Sequence, residues 1–399
     1  MNNKDRTTRM RSHCRSCAIG FAVVLLAAGT AGAESRSYAE RLAAGAFDEF
    51  LSGEIEPQRL AAWNTFVGRP DLNTAFTDIP KASNDCPTAD AEVLNGAEWV
   101  LASAADARVV MFNENHYGTE ARAFVRQLLD DLRGIGFTHI GFEAFSPVVE
   151  RHGRPYTPAE GTYTVEPVFA ALVRDAKALG YEVFGYEATI RAPDDAPMQE
   201  RVEVREQGQA DNLAERIDAA GAEAKFIVYA GWSHIAEEPI SSWGKPLPWM
   251  AARFKQATGI DPLTIDLTSC VYPAADPGGW RGRLYIAEDG RPAVSGRYAG
   301  AVDAQVRLPV PAAGDPEAAG FFRSSLGDPV PVPASLRLDD APVLVQAYRV
   351  DQQEGEVAYD RILLRPQDEL PLYLPSGTYR LVSHRGNGEV VGRANVDVN

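Results

Sequence analysis

Val109-Val110-Met111-Phe112-Asn113-Glu114-Asn115-His116 is an unbroken apolar run that ends in four polar residues. Four apolar positions in a row, two of them valine, read as a strand buried on both faces, as in a parallel sheet. In such a sheet ligands bind in the crevice outside the carboxyl ends of the strands, where these polar residues would stand. The pattern recurs three times further along the chain. Ile140-Gly141-Phe142 runs into Glu143, Val183-Phe184-Gly185-Tyr186 into Glu187, and Ile227-Val228-Tyr229-Ala230 into Gly231-Trp232-Ser233-His234.

The strands expected from these runs are 108–112, 139–142, 182–186 and 225–230, with a fifth at 263–267. Between them, 119–133, 165–179, 198–220 and 248–258 carry apolar residues at three- and four-residue spacing, as Phe124, Leu128 and Leu132 show. Gly134, Gly180, Gly221 and Gly259 stand near the ends of these helices, where a left-handed cap favours glycine. Crossovers this long imply an α/β fold: a mainly parallel sheet with helices on both faces. Upstream, 37–80 reads as a helical, irregular cover and 92–102 as a helix leading into the first strand. Downstream, 281–287 and 292–298 suggest a hairpin, and the Pro/Gly-containing 309–334 a linker. The stretches 343–350, 359–364, 370–374, 378–384 and 389–398 read as strands of a small β-sandwich, 335–399, with Gly386-Asn387-Gly388 as a turn. The α/β domain with its cover is then 34–308.

The amino terminus is basic (Lys4, Arg6, Arg9, Arg11, Arg15), then apolar from Ala18 to Ala28, then small at Ala31-Gly32-Ala33. That is the layout of a secretory signal peptide, 1–33, cleaved before Glu34; the apolar run is too short to span a bilayer. Cys14 and Cys17 precede the run, so lipid attachment at the cleavage site is not expected. The chain is expected to be periplasmic or secreted, with no membrane span in its mature form. The formal net charge of −16 becomes more negative once the signal is removed, which disfavours nucleic acid and anionic membrane surfaces as partners. A small-molecule or peptide substrate is the partner expected instead. Beyond the signal only Cys86 and Cys270 remain, and an oxidising compartment favours their pairing in a disulfide over two separate buried thiols.

The four strand ends deliver Glu114, His116, Glu143, Glu187 and His234 to one rim. One glutamate after a strand is ordinarily a helix-start or loop charge; the coincidence on four strands points to a site. His139, which begins a strand at the opposite edge, and His152 and His384 lack that setting. Several carboxylates buried together need a positive partner. A divalent metal (Zn, Mn or Co) could be it, with Glu114, His116, Glu143 and His234 as ligands. The other candidate is Arg205, which forms a polar stripe with Gln209 and Asn212 beside a more apolar stripe of Glu206, Ala210, Leu213 and Ile217. Gly231-Trp232-Ser233-His234-Ile235 lacks the final glycine of a nucleophile elbow, so Ser233 is a poor nucleophile. No P-loop or dinucleotide fingerprint is present.

Glu114-Asn115-His116, Glu143, Arg205-Glu206 and Gly231-Trp232-Ser233-His234, in this order, resemble the superfamily that joins erythromycin esterases, ChaN-like haem-uptake proteins and Tiki metalloproteases. The resemblance spans roughly residues 95 to 270, and Asn113 replaces the glycine usual before the first glutamate. It implies hydrolysis of an ester, lactone or peptide by activated water, or haem binding. As a hydrolase, His116 activates the water, directly or through a metal held with His234. Glu114 and Glu143 orient the imidazole or complete the metal shell, Arg205 stabilises the oxyanion, and Glu187 or Glu206 shuttles protons. As a binding protein, the same crevice takes haem or another planar ligand against Tyr117, Trp232, Trp243 and Trp249, which ordinary packing would equally explain. A third reading leaves the α/β domain a scaffold and makes 335–399 the partner-binding part.

Overall fold

The computed structural model describes residues 38–49, 57–73, 86, 92–146, 155–161, 163–273, 281–311, 318–353 and 355–399. The signal peptide, His152 and the central part of the expected helical cover lie outside them.

The strands of the large sheet are β1 (Glu92–Asn95), β2 (Val109–Glu114), β3 (Phe137–Phe142), β4 (Glu182–Gly185), β5 (Lys225–Gly231), β8 (Leu263–Asp266), β9 (Val271–Pro273), β10 (Arg283–Ile286) and β11 (Ala304–Val310); β6 (Ile240–Ser242) and β7 (Lys245–Leu247) form a separate hairpin. The sheet order is β1-β10-β11-β8-β2-β5-β3-β4, with β9 beside β11. From β11 to β4 every pairing is parallel, whereas β1 and β10 are antiparallel additions at one edge. The helices are α1 (Pro57–Phe66), α2 (Gly96–Ala104), α3 (Glu120–Gly134), α4 (Pro167–Ala178), α5 (Met198–Ala219) and α6 (Met250–Thr258).

Alternation along β2 shows that both faces are covered. Val110 and Phe112 pack with Phe124, Leu128 and Phe169 of α3 and α4, while Val109 and Met111 pack with Leu213, Ile217 and Phe254 of α5 and α6. Helices on both faces explain why all six residues of β2 are buried. The long helices follow their apolar stripes; α3 ends at Gly134, and the positive φ that follows it, +100°, is at Gly136.

Several expectations are corrected. The stretch 92–102 is not one helix: Glu92–Asn95 pairs with β10, and Asn95 caps α2 by accepting from Ala97 N and Glu98 N. The hairpin at 281–298 is reduced to β10, an isolated bridge from Ile286 to Pro292, and a single 3-10 turn at Gly296–Tyr298. β11, which was not expected, has six buried residues and lies parallel to β8. Within the expected linker, Phe321, Phe322, Arg323 and Leu326 are buried, and β12 (Asp328–Val330) pairs with β15 (Leu372–Leu374). The carboxyl-terminal region has the expected strands, β13 (Val343–Arg349), β14 (Asp360–Leu364), β16 (Gly377–His384) and β17 (Val390–Val398). They make one antiparallel sheet, ordered β14-β13-β16-β17, beside the β12–β15 pair rather than two full facing sheets. Cys86 and Cys270 are joined in a disulfide, with Cα atoms 6.2 Å apart.

Candidate active site

β5, the fourth of the polar-ended strands in the sequence, lies between the first two, β2 and β3. Glu114 is therefore opposite Gly231, and Glu143 N donates to Tyr229 O at 3.0 Å. All seven residues expected at the site are drawn into two linked clusters, which share Gly231 and Glu143.

The first cluster surrounds Glu114. Arg122, in the first turn of α3 and 0% exposed, donates to both carboxylate oxygens at 2.6 and 2.9 Å, and Tyr229 Oη donates to Oε2 at 3.0 Å. Arg122 also pairs with Glu166, whose carboxylate caps α4 by accepting from Phe169 N. Burial works against the charge on Glu114, but Arg122 and then His116 outweigh it and hold its pKa below the ordinary value. His116 Nδ1 stands 3.3 Å from Glu114 Oε1, and the imidazole stacks on Tyr163 with centroids 4.4 Å apart and planes 11° apart. Its Nε2 makes no hydrogen bond among the described residues, and the side chain is 26% exposed. His116 is thus oriented from one nitrogen and open at the other.

The second cluster surrounds Glu143. His234 Nε2 is 3.1 Å from Glu143 Oε1, which Arg205 Nη2 also contacts, and Gly231 N donates to Oε2. His234 Nδ1 stands 2.8 Å from Glu206 Oε2, so its two nitrogens face two carboxylates. Burial alone would lower the pKa of His234; Glu143 and Glu206 overcome this and push it up to about 10. At neutral pH His234 is therefore an imidazolium that donates from both nitrogens. Its 3.2 Å contact with Arg205 Nη1 is then an approach of two donors that share Glu143, not a hydrogen bond. Burial likewise opposes the Glu143 charge, yet His234 and Arg205 hold that carboxyl well below the usual range. Arg205 is fixed by Glu187, through Nε at 2.9 Å and Nη2 at 2.6 Å, and Glu187 is held in turn by Gln209 Nε2 and Ala188 N.

Local backbone geometry sets these approaches. Trp232 adopts φ +43°, uncommon for a large side chain, and its carbonyl is held by Asn113 Nδ2 at 2.8 Å. Asn113 is anchored by Asp266 and by Leu267 N. A Cβ at Gly231 would lie 2.3 Å from His116 Cε1 and 3.0 Å from Glu143 Oε2, so only glycine lets the two clusters meet.

Arg122, Arg205 and His234 set positive charge beside these carboxylates. Of the four expected ligands, Glu114 is turned onto Arg122 and Tyr229, Glu143 onto Arg205, His234 and Gly231 N, and both nitrogens of His234 onto carboxylates, while His116 Nε2 is open. Among the described residues no group of three or more His, Cys, Asp or Glu is arranged to hold a metal. Glu187 clamps Arg205, and Glu206 binds His234 and Met250 N. Trp249 is buried edge-on against His234 and Tyr117 packs on Trp232, whereas Trp243 is exposed. Ser233 is buried, and neither Cys86 nor Cys270 carries a thiol. Arg122, Tyr163, Glu166 and Tyr229 were not expected at the site. Arg122 left one signal, a charge on the stripe it shares with the buried Val125, Leu129 and Leu132. Tyr163 left none.

No family model matches the sequence, and no curated protein matches it. Among solved structures, the chain is similar to RRSP, a MARTX toxin effector domain from Vibrio vulnificus CMCP6, at 15% identity over 43% of this chain and 36% of that one, with a TM-score of 0.31. It is similar to the type III effector HopBA1 at 12% identity over 56% and 97% of the two chains, TM-score 0.33. It is also similar to the C-terminal region of Pasteurella multocida toxin, described as having a thiol-protease-like catalytic triad, at 10% identity over 88% and 50%, TM-score 0.32. The chain thus spans little more than a third of the first of these, and at these scores the likeness assigns neither fold nor chemistry to it.

Proposed function

We propose that this chain is an exported, metal-independent hydrolase that cleaves an ester, lactone or peptide bond with a water activated by His116. The observation that carries this reading is the asymmetry of the two histidines. His234 is held as a cation between Glu143 and Glu206, while His116 rests Nδ1 against Glu114 and leaves Nε2 open beside Glu143. A general base needs one nitrogen held and the other available for a proton, and His116 meets that requirement.

The chemistry follows from the placement. Nε2 of His116 takes a proton from water as the water oxygen attacks the carbonyl carbon, and Glu114 stabilises the imidazolium that forms. The oxyanion develops against Arg205 Nη1, which has no carboxylate partner among the described residues, with His234 adding positive charge behind it. When the tetrahedral intermediate collapses, the bond to the leaving group breaks and Nε2 returns its proton to that group. Glu187 and Glu206 act as positioning residues for Arg205 and His234. The resemblance to erythromycin esterases at these residues supports an ester or lactone substrate. Export is supported by the composition of 1–33 and by the Cys86–Cys270 disulfide, which an oxidising compartment maintains. No helix among the described residues is long and apolar enough to cross a membrane.

The test is turnover of chromogenic esters, lactones and peptides by the mature protein and by His116→Ala, His116→Gln and Arg205→Lys. Turnover should vanish in both His116 variants and fall by about 10²–10³-fold in Arg205→Lys, the loss typical of one oxyanion donor, with far-UV circular dichroism unchanged. Full activity in a folded His116→Ala protein would remove the assignment.

A further inference from the structure

Away from the rim, the face that the carboxyl-terminal sheet turns toward the α/β domain contains a buried charge with no hydrogen-bond partner among the described residues. Along β13 and β14, Val345 and Ile362 belong to the outer core, whereas Leu344 and Leu363 join the core of the large domain. Gln346 and Arg361, opposite each other in the register, share the inner face with Leu344 and Leu363. Gln346 Nε2 and Tyr348 Oη both donate to Ala43 O, which seats the sheet against the amino-terminal segment. Arg361 lies in this seam, 0% exposed, and its Nε, Nη1 and Nη2 have no hydrogen-bond partner among the described residues.

The neighbours do not cancel its charge. Asp360, adjacent in sequence, is engaged by Arg323 at both oxygens and by Tyr373 N. Gln346 Oε1 is also without a partner, but as a neutral acceptor it could meet one of the five guanidinium protons and leave the charge in place. Arg174, whose Nη2 holds the carbonyls of Val357 and Ala358, lies close enough to repel Arg361, and its Nη1 has no partner either. An arginine does not deprotonate in a protein, and an uncompensated buried charge is among the costliest arrangements a fold can hold.

We propose that Arg361, with Arg174 beside it, forms an internal binding site for a small halide-sized anion, which pins the carboxyl-terminal sheet to the α/β domain. The two guanidinium groups, with only a neutral acceptor at Gln346 Oε1, select an anion, and full burial selects a small one with a single charge. The site is separate from the rim chemistry and does not depend on it.

Two experiments test this on the full mature chain. Crystals soaked in bromide should show an anomalous peak against the Arg361 guanidinium. Thermal unfolding at constant ionic strength, with chloride replacing gluconate over roughly a hundredfold range, should move Tm upward with chloride concentration, as for a ligand that binds only the folded state. In Arg361→Met the chloride response should be lost. The proposal is overturned by an empty bromide map together with equal chloride responses in the two proteins. A response to sulfate or phosphate but not to halides would overturn the halide assignment. If Arg361→Met does not fold, the bromide map and the chloride titration of the wild type still decide.

Discussion

Substituting Glu206→Gln should change the protonation of His234 by an amount the structure allows to be worked out. In the wild type the pKa of His234 is raised from 6.5 to about 10 by Glu143 at 3.1 Å and Glu206 at 2.8 Å, against burial that works the other way. One carboxylate at such a distance moves a pKa by roughly 1–3 pH units, so removing the charge of Glu206 while keeping its shape should lower the midpoint by that amount. The value should stay above 6.5, because Glu143 remains. The assay is a ¹⁵N-detected titration of labelled histidines, with His234 identified by its absence in His234→Gln. Both ring nitrogens of His234 should carry protons through neutral pH in the wild type. Stability follows with a definite sign. A histidine whose folded pKa is raised contributes stability that is fully present below about 6.5 and is lost as pH rises through about 10. Alkaline unfolding should accordingly begin at lower pH in Glu206→Gln. A wild-type His234 that titrates near 6.5, or one unmoved by the substitution, would refute the reasoning and make His234 a second candidate base.

Other outcomes follow from the same geometry. Arg122→Met leaves Glu114 and Glu166 buried without their cation and should cost about 3–5 kcal/mol in urea unfolding, with part of the loss recovered in Arg122→Met/Glu114→Gln. Gly231→Ala must displace the His116 ring, since a methyl group would begin 2.3 Å from Cε1; a shift of about 1 Å at the base should reduce turnover roughly 10²-fold while circular dichroism holds. Glu114 and Glu143 have lowered pKa values, so their stabilisation is present above the unfolded value of 4.5 and is lost as pH falls through their folded values. Glu120 and Glu166 are raised by burial and have the opposite sign, so urea midpoints should hold or rise slightly on acidification toward 4.5 and fall steeply only below it. Chelation should leave activity and Tm unchanged, and a metal-free preparation by mass spectrometry that is inactive until zinc, manganese or cobalt is restored would contradict the metal-independent reading. A haem titration should give no saturable Soret shift; one that is lost in His116→Ala would favour ligand binding over catalysis.

The sequence by itself determined the repeating unit and the side of the sheet that carries the polar strand ends. Apolar runs ending in Glu114, Glu143, Glu187 and His234 could only be strands with polar carboxyl ends, because hydrophobic periodicity and helix spacing are local properties of the chain. The positions of Gly180, Gly221 and Gly259, all at positive φ, were legible for the same reason. Strand order was not legible. Inserting β5 between β2 and β3 brings Gly231 against Glu114 and Glu143, and nothing in the local pattern of 225–231 specifies those neighbours. β11 was missed because Arg307 and Pro309 interrupt its apolar run, although Arg307 is covered by its contact with Tyr285. The charges were the largest surprise. The sequence showed an excess of carboxylates and left metal and arginine as alternatives, because compensation depends on distances between residues far apart in the chain. Only the tertiary structure placed Arg122 on Glu114, Arg205 on Glu143 and Glu187, and His234 between two carboxylates. That enclosure holds one histidine between carboxylates at both ring nitrogens and the other at one nitrogen alone.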